Sequence, residues 1–173
     1  SIRVIANDAG VNSALISHYF GGKCGLYDAC LHQVYDALGD WEAVLLNDLS
    51  LEGGVKAWLA QVVPTALHFV RRHHSSLRLV TREVLSQGTL GLARREGVLV
   101  PFLAKAVAYI QPLTRHGESE IRFALQSLVF LVVRYGLASQ DDLAAVNGCA
   151  LDVEENLTNH LVKIAQNLLC NEA

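Results

Sequence analysis

The sequence predicts an all-α fold. Apolar residues recur at helical spacing along most of the chain, and no alternating run rich in Val and Thr, of the kind that forms strands, is present. Only three of the 173 residues are proline, so few points interrupt the helices. With 51% hydrophobic and 18% charged residues, the chain is long and apolar enough to bury a sizeable core.

The first element is a short helix that ends in a tight turn. Apolar residues recur at i, i+3, i+4 and i+7, namely Ile2, Ile5, Ala6 and Ala9. Ser1 suits the N-cap position, because its side chain can accept a hydrogen bond from a free N–H of the first turn. Gly10 follows the last apolar residue, where a left-handed backbone is favoured. The pattern predicts a helix that stops at Gly10.

A second short helix follows the turn. Asn12 or Ser13 can cap it, and Leu15, Ile16 and either Tyr19 or Phe20 recur on one side. The opposite side is small and polar, and consists of Asn12, Ser13, Ala14, Ser17 and His18. A helix pair of this kind places its second helix in the major groove of DNA, where a small polar face suits contact with base edges.

These residues carry a resemblance to a known family. The pattern Ile-x-x-Ile-Ala-x-x-Ala-Gly-Val over residues 2–11, followed by Tyr-Phe-x-x-Lys-x-x-Leu over residues 19–26, resembles the DNA-binding domain of the tetracycline-repressor (TetR) family. The resemblance covers residues 1–27. It implies a three-helix DNA-binding head and a helical body that binds a ligand and dimerises, in proteins that are mostly repressors. The alternative for the motif itself is a plain helical hairpin with a glycine turn.

The resemblance also assigns roles to residues. Ala14, Leu15, Ser17 and His18 fall on the recognition helix, and Tyr19 and Lys23 match residues that contact the phosphate backbone. Ser17 stands where many members have tyrosine, and Cys24 stands where glutamate is common. The complete predicted DNA-binding set is Asn12, Ser13, Ala14, Leu15, Ser17, His18, Tyr19 and Lys23.

The family has one helix before this motif, so the chain is expected to lack the first helix of its head. Helices as short as these need tertiary packing, and a two-helix remnant is expected to be poorly supported. The net charge of the whole chain is −3, and within residues 1–28 Arg3 and Lys23 balance Asp8 and Asp28. This charge is low for a nucleic-acid binder. The low charge leaves open the alternative that the chain is a helical protein-interaction or dimerisation module that does not bind DNA.

The chain is predicted to divide into a head with its linking helix, residues 1–46, and a ligand-binding and dimerisation body, residues 47–173. The predicted linker is 47–54, and a loop is expected over 88–97. Pro64 is expected to kink or break the helix that contains it. The predicted helices are 24–46, 55–74, 75–86, 101–111, 118–137 and 151–169.

The last two predicted helices are the candidate dimer interface, because one is apolar nearly all round and the other has near-heptad apolar spacing. The predicted interface residues are Ile121, Leu125, Leu128, Val132, Val153, Leu157, Leu161, Ile164 and Leu168. A two-fold operator also requires two heads. The alternative is that both helices pack inside the core of a single chain.

A body of interrupted helices with mixed polar and apolar residues can hold a cavity for a small apolar or amphipathic ligand. The candidate lining residues are Trp58, His68, Phe69, Arg82, Phe102, Tyr109, Gln126, Phe130 and Arg134. For each of them core packing or a solvated position is the alternative, and Arg82 can instead pair with Glu83. An inward Arg82 or Arg134 without a carboxylate partner would favour an anionic ligand, because an unpaired buried charge is costly.

Enzyme, cofactor and metal sites are not predicted. The sequence contains no nucleophile, phosphate-loop or dinucleotide motif, and the adjacent carboxylates at 141–142 and 154–155 point apart on a helix. The spacing of Cys24, Cys30, Cys149 and Cys170 matches no zinc pattern. They are expected to be reduced thiols, with a redox role for Cys149 as the alternative. His68, His73 and His74 do not share a helix face as a metal pair would.

No apolar run reaches the 18 residues that a membrane span needs, and no signal peptide is present in this sequence. The sequence therefore predicts a cytoplasmic homodimeric transcription regulator without cofactor or membrane partner. Its expected partners are a double-stranded DNA operator and an unidentified small molecule.

Overall fold

The structure is a computed structural model that describes residues 1–48, 53–88 and 95–170, and every regular element in these ranges is helical. The all-α prediction is confirmed. The α-helices are α1 (Ile2–Asp8), α2 (Ser13–Phe20), α3 (Lys23–Asp48), α4 (Gly54–Arg72), α5 (His74–Gln87), α6 (Val100–Ile110), α7 (Glu118–Gly136), α8 (Gln140–Asn147) and α9 (Val153–Leu169). A π-helical turn covers Arg95–Leu99, and a 3₁₀ turn covers Gln111–Leu113.

The chain divides into two compact units, Ser1–Trp41 and Glu42–Ala173. The division falls inside α3, on the N-terminal side of the predicted boundary at 46/47. Helix α3 extends to Asp48, so the first residues of the predicted linker are helical. The part of that linker over 49–52, and the part of the predicted loop over 89–94, lie outside the described residues.

The core of the second unit lies between α4, α7 and α9, which pack on one another. Helix α4 contributes an apolar stripe at helical spacing, and α9 contributes one residue at nearly every turn. The buried residues of α9 are Val153, Leu157, Leu161, Ala165 and Leu169. Gly136 allows α7 to approach α4 closely, because a Cβ there would lie 2.5 Å from Cγ1 of Val70.

This core corrects the predicted dimer interface. Most of the predicted residues are buried inside the single chain: Ile121, Leu125, Leu128, Val132, Val153, Leu157 and Leu161. Ile164 is half-buried and packs against the same core, and only Leu168 is exposed. Near-heptad spacing specifies an apolar stripe but does not say which helix covers it. Here α4 of the same chain covers it.

Two further expectations about the body differ from the structure. At Pro64 a kink or a break was expected; the break is wrong, because α4 runs through that residue from Gly54 to Arg72, and the kink stays a prediction. The hydroxyl of Thr65 donates to the carbonyl of Val62 within the same helix at 2.8 Å. Helix α8 was not predicted. It is short, and Ser139 caps it by accepting from the N–H of Asp142 at 3.1 Å.

A small polar cluster ties three helices of the body together. Glu154, in the first turn of α9, pairs with Arg71 of α4 and accepts from Nε2 of Gln140 in α8 at 2.9 Å. Burial raises the pKa of Glu154, but the hydrogen bonds from Gln140 and Arg71 and the charge of Arg71 outweigh it. The pKa of this carboxyl is therefore lowered from its ordinary value of 4.5.

The lowered pKa predicts a stability change in acid. A carboxylate whose pKa is lower in the folded chain stabilises the fold above its unfolded pKa, and this contribution is lost as the pH falls through the folded value. We expect the free energy of unfolding to fall with pH below about 4.5 more steeply in the native chain than in Glu154→Gln. Because the pair is half-exposed, the difference between the two chains at pH 7 should stay below about 1 kcal/mol.

Urea unfolding followed by circular dichroism between pH 3 and pH 7 measures this difference. Glu155→Gln is the matched control, since Glu155 is the exposed neighbour of Glu154 and its side chain makes no hydrogen bond or ion pair with the described residues. If the free energy of unfolding depends on pH in the same way in Glu154→Gln and in the native chain, the cluster does not contribute to the loss of stability in acid.

Within the described residues, no single helix is both long enough and apolar enough to cross a membrane. One bent pair, Arg95–Leu113 with Glu118–Gly136, meets the length and composition requirement only when its two parts, 118° apart, are taken together.

Candidate nucleic-acid interface

Helices α1 and α2 form the predicted helix-turn-helix. Oγ of Ser1 accepts from the N–H of Val4 at 3.4 Å, so Ser1 caps α1 as predicted. Gly10 has a φ of +66°, the left-handed conformation that ends a helix without the strain of a Cβ. Ala6 and Ile16 are buried where α1 and α2 pack together. The turn therefore fixes the direction of α2.

The N-cap of α2 is Asn12, one of the two alternatives. Oδ1 of Asn12 accepts from the N–H of Ala14 at 2.8 Å, and the hydroxyl of Ser17 donates to the carbonyl of Ser13 at 3.3 Å. These two predicted DNA-binding side chains therefore also hold the start of the helix. The amide nitrogen of Asn12 is not used by the cap, and it remains a possible donor to an acceptor on DNA.

The small polar face of α2 is exposed as predicted, but the predicted buried side is wrong except for Ile16, because Leu15, Tyr19 and Phe20 are exposed as well. Ala14, Leu15, Ser17 and His18 are exposed, and Ser13 is half-buried. Tyr19 is 73% exposed, and its ring lies edge-on to His18 with 5.1 Å between centroids. This arrangement presents one imidazole, one phenol and an apolar side chain on adjacent turns.

Two glycines separate α2 from α3 and place the predicted phosphate contact. Gly21 and Gly22 have φ values of +69° and +119°, which a residue with a Cβ adopts only with strain. Lys23 then begins α3 with an exposed side chain. Gly25, which the sequence analysis did not single out, lies so close to the carbonyl of Phe20 that a Cβ would clash. Tyr19 and Lys23 thus lie on either side of a turn whose backbone conformation requires glycine.

The comparisons with known proteins agree with this geometry. The chain is 28% identical over 134 residues to the probable HTH-type transcriptional regulator YttP of Bacillus subtilis (strain 168), covering 78% of this chain and 62% of YttP. Two shorter matches are HTH-type transcriptional regulators BetI 1 and BetI 2 of Chromohalobacter salexigens. They are 50% identical over 40 residues (23% of this chain, 20% of BetI 1) and 53% identical over 36 residues (21% and 17%).

The predicted TetR-like resemblance is confirmed. The chain spans less than two thirds of the length of these TetR-like relatives. No family model matches the chain, and no solved structure matches it.

The predicted ligand pocket is not assembled as a set. His68, Arg82, Phe130 and Arg134 are exposed, and Phe69, Phe102 and Gln126 are half-buried. Trp58 and Tyr109 are brought together, with ring centroids 5.3 Å apart, and Phe69 packs against His73. Arg82 and Arg134 face solvent, so neither is the inward arginine that would have favoured an anionic ligand.

Two surface depressions in the body were not predicted. The first, about 330 Å³ in volume, is lined by Gln140, Asp141, Ala144, Ala150, Asp152, Val153 and Glu154; we call it the acidic depression. The second, about 480 Å³, is lined by Gly53, Val55, Lys56, Pro112, Leu113, Thr114, Arg115 and Cys170; we call it the basic depression. Neither lining forms a sequence motif, because its residues come from distant segments that only the fold brings together.

The cysteines are free thiols, and Cys24 and Cys149 are exposed. Sγ of Cys149 accepts from Nδ2 of Asn147 at 3.4 Å. A redox role for Cys149 stays a prediction. Among the described residues no three His, Cys, Asp or Glu side chains are grouped as metal ligands would be.

Proposed function

We propose that this chain is a cytoplasmic transcription regulator that binds a two-fold DNA operator as a homodimer and acts as a repressor released by a small molecule. The observation that carries the proposal is the exposed face of α2, held by the Asn12 cap and the Gly10 turn. A helix fixed in this way can enter a major groove without further ordering. The names of the relatives support the same class of protein.

The proposed dimer uses a different face of α7 from the one predicted. Phe123 and Phe130 lie two turns apart on α7 and are 73% and 59% exposed. Ser127 lies between them, and its hydroxyl is satisfied by the carbonyl of Phe123 at 2.8 Å. Two antiparallel copies of this face place Phe123 of one copy against Phe130 of the other. Such a self-complementary contact is what two-fold symmetry requires.

Release by a ligand follows from a population shift. A ligand that binds more tightly when the two heads are wrongly spaced lowers the affinity for half-sites about one helical turn apart. The ligand needs differential affinity for the two states, since equal affinity shifts nothing.

Fluorescence anisotropy of the full chain on a duplex from upstream of its own gene tests the proposal. A scrambled duplex of the same composition is the control, and salt is titrated. We expect tighter binding to the native duplex and an affinity that falls as salt rises. Absence of binding at low salt would contradict DNA binding. It would favour the interaction module, for which the balanced charge of residues 1–28 is the specific observation.

A further inference from the structure

The basic depression has the composition of a small-molecule site. It lies where the start of α4, the 3₁₀ turn at Gln111–Leu113 and the end of α9 meet, within the second unit. Its volume of about 480 Å³ falls in the range of ligand pockets. Val55, Pro112 and Leu113 supply an apolar lining, and Gly53 supplies a wall without a side chain.

The charge of this lining has one sign. Lys56 and Arg115 are cationic, Thr114 adds a hydroxyl, and none of the described lining residues is acidic. Arg115 has no carboxylate partner among the described residues. A guanidinium, an ammonium and a hydroxyl in one depression are the donors that recognise a carboxylate or another oxyanion.

The acidic depression of the same body provides the contrast. Its lining contains Asp141, Asp152 and Glu154 and no cation. The two depressions therefore differ in the sign of their charge while both are open to solvent. The sign of a ligand's charge should therefore decide which of the two depressions binds it.

An aromatic pair, buried Trp58 and half-buried Tyr109, lies about one helical turn along the chain from residues that line the basic depression. Trp58 follows Val55 by three residues along α4, and Tyr109 precedes Leu113 by four. Trp58 is 6% exposed, and its indole N–H has no acceptor among the described residues. A buried donor without an acceptor is costly, so an oxygen brought close to it would be favourable. The pair also gives the site a spectroscopic reporter.

We propose that the basic depression binds a small amphipathic anion, with its charged group at Lys56, Thr114 and Arg115 and its apolar part over Val55, Pro112 and Leu113. Only the regulatory role of this anion rests on the proposed function. Binding itself requires neither DNA nor the head. Burial of the apolar part against Val55, Pro112 and Leu113 supplies affinity, and the oxyanion contacts fix the orientation.

The test is a fluorescence titration without DNA. The chain contains two tryptophans, so Trp41→Phe leaves Trp58 as the single reporter. The probes are decanoate and decyltrimethylammonium, which have the same tail and opposite charge, both kept below their micelle concentrations. We expect decanoate to change the Trp58 emission saturably and to bind at least about tenfold more tightly than the cation. Equal affinities would overturn the proposal.

Variants locate the binding. In the Trp41→Phe background, Arg115→Ala and Lys56→Ala should each weaken decanoate binding by about tenfold, and Arg115→Lys should restore part of the loss. Asp141→Asn in the acidic depression is the matched control and should leave the affinity unchanged. Circular dichroism verifies that each variant is folded. Unchanged decanoate affinity in both alanine variants would overturn the site even if DNA binding is established, whereas failure of DNA binding would leave this result intact.

Discussion

Replacing Phe130 with glutamate is expected to separate the proposed dimer into monomers and to lower its affinity for the two-fold duplex by at least about a hundredfold. Phe130 is an exposed aromatic side chain in the middle of the face that α7 presents outward. In the dimer this face is covered, and a glutamate at 130 would be buried against Phe123 of the other copy, without a cationic partner. An unpaired buried charge outweighs the apolar contact it replaces.

The loss of DNA affinity follows from losing the second head. When two heads are joined, the second binds as an intramolecular event at a high effective concentration, and a monomer forfeits this advantage. The effect should therefore be much larger on a duplex with two half-sites than on one with a single half-site. Sedimentation equilibrium measures the mass, and anisotropy on both duplexes measures the affinities.

The control for Phe130→Glu is Leu85→Glu. Leu85 lies on α5 and is 80% exposed, so it presents an apolar side chain of similar exposure outside the proposed interface. We expect Leu85→Glu to remain dimeric and to bind the duplex normally. A Phe130→Glu chain that remained dimeric would contradict the α7 interface. A Leu85→Glu chain that became monomeric would move the interface to α5.

The head is the part of the molecule that its sequence specified best. Ser1, Gly10 and Asn12 act locally, because a cap or a left-handed turn depends on backbone groups two to four residues away. Their roles were therefore visible in the sequence and are found in the structure. The same holds for Ile16, whose burial follows from the spacing of apolar residues on a short helix.

The body shows where such inference stops. The spacing of Leu157 and Leu161 predicted an apolar stripe correctly, but only the position of α4 decides that the stripe is core and not interface. Conversely, Phe123 and Phe130 lie off the main apolar stripe of this helix, but because the helix is apolar nearly all round, its sequence alone does not decide whether they are buried or exposed. Arg115 belongs to no motif, and its position beside Lys56 exists only after folding.

The second large effect is expected at Lys23. If its ammonium contacts a phosphate in each half-site, Lys23→Ala removes two contacts from a dimer. The slope of log affinity against log salt should then fall by about two, because each contact releases about 0.9 of a counterion. At low salt the affinity should fall by about tenfold or more, and by the same factor on native and scrambled duplexes, since a phosphate carries no sequence information.

Two comparisons make the Lys23 result specific. Lys163→Ala removes an exposed lysine from α9 and should change neither the affinity nor the salt slope. His18→Ala removes a side chain from the outward face of α2, so it should change the ratio between native and scrambled duplexes while leaving the slope nearly unchanged. A Lys23→Ala chain with an unaltered salt slope would show that Lys23 does not contact the backbone. The phosphate contacts would then have to come from other groups, of which Tyr19, 73% exposed on α2, is the first to replace.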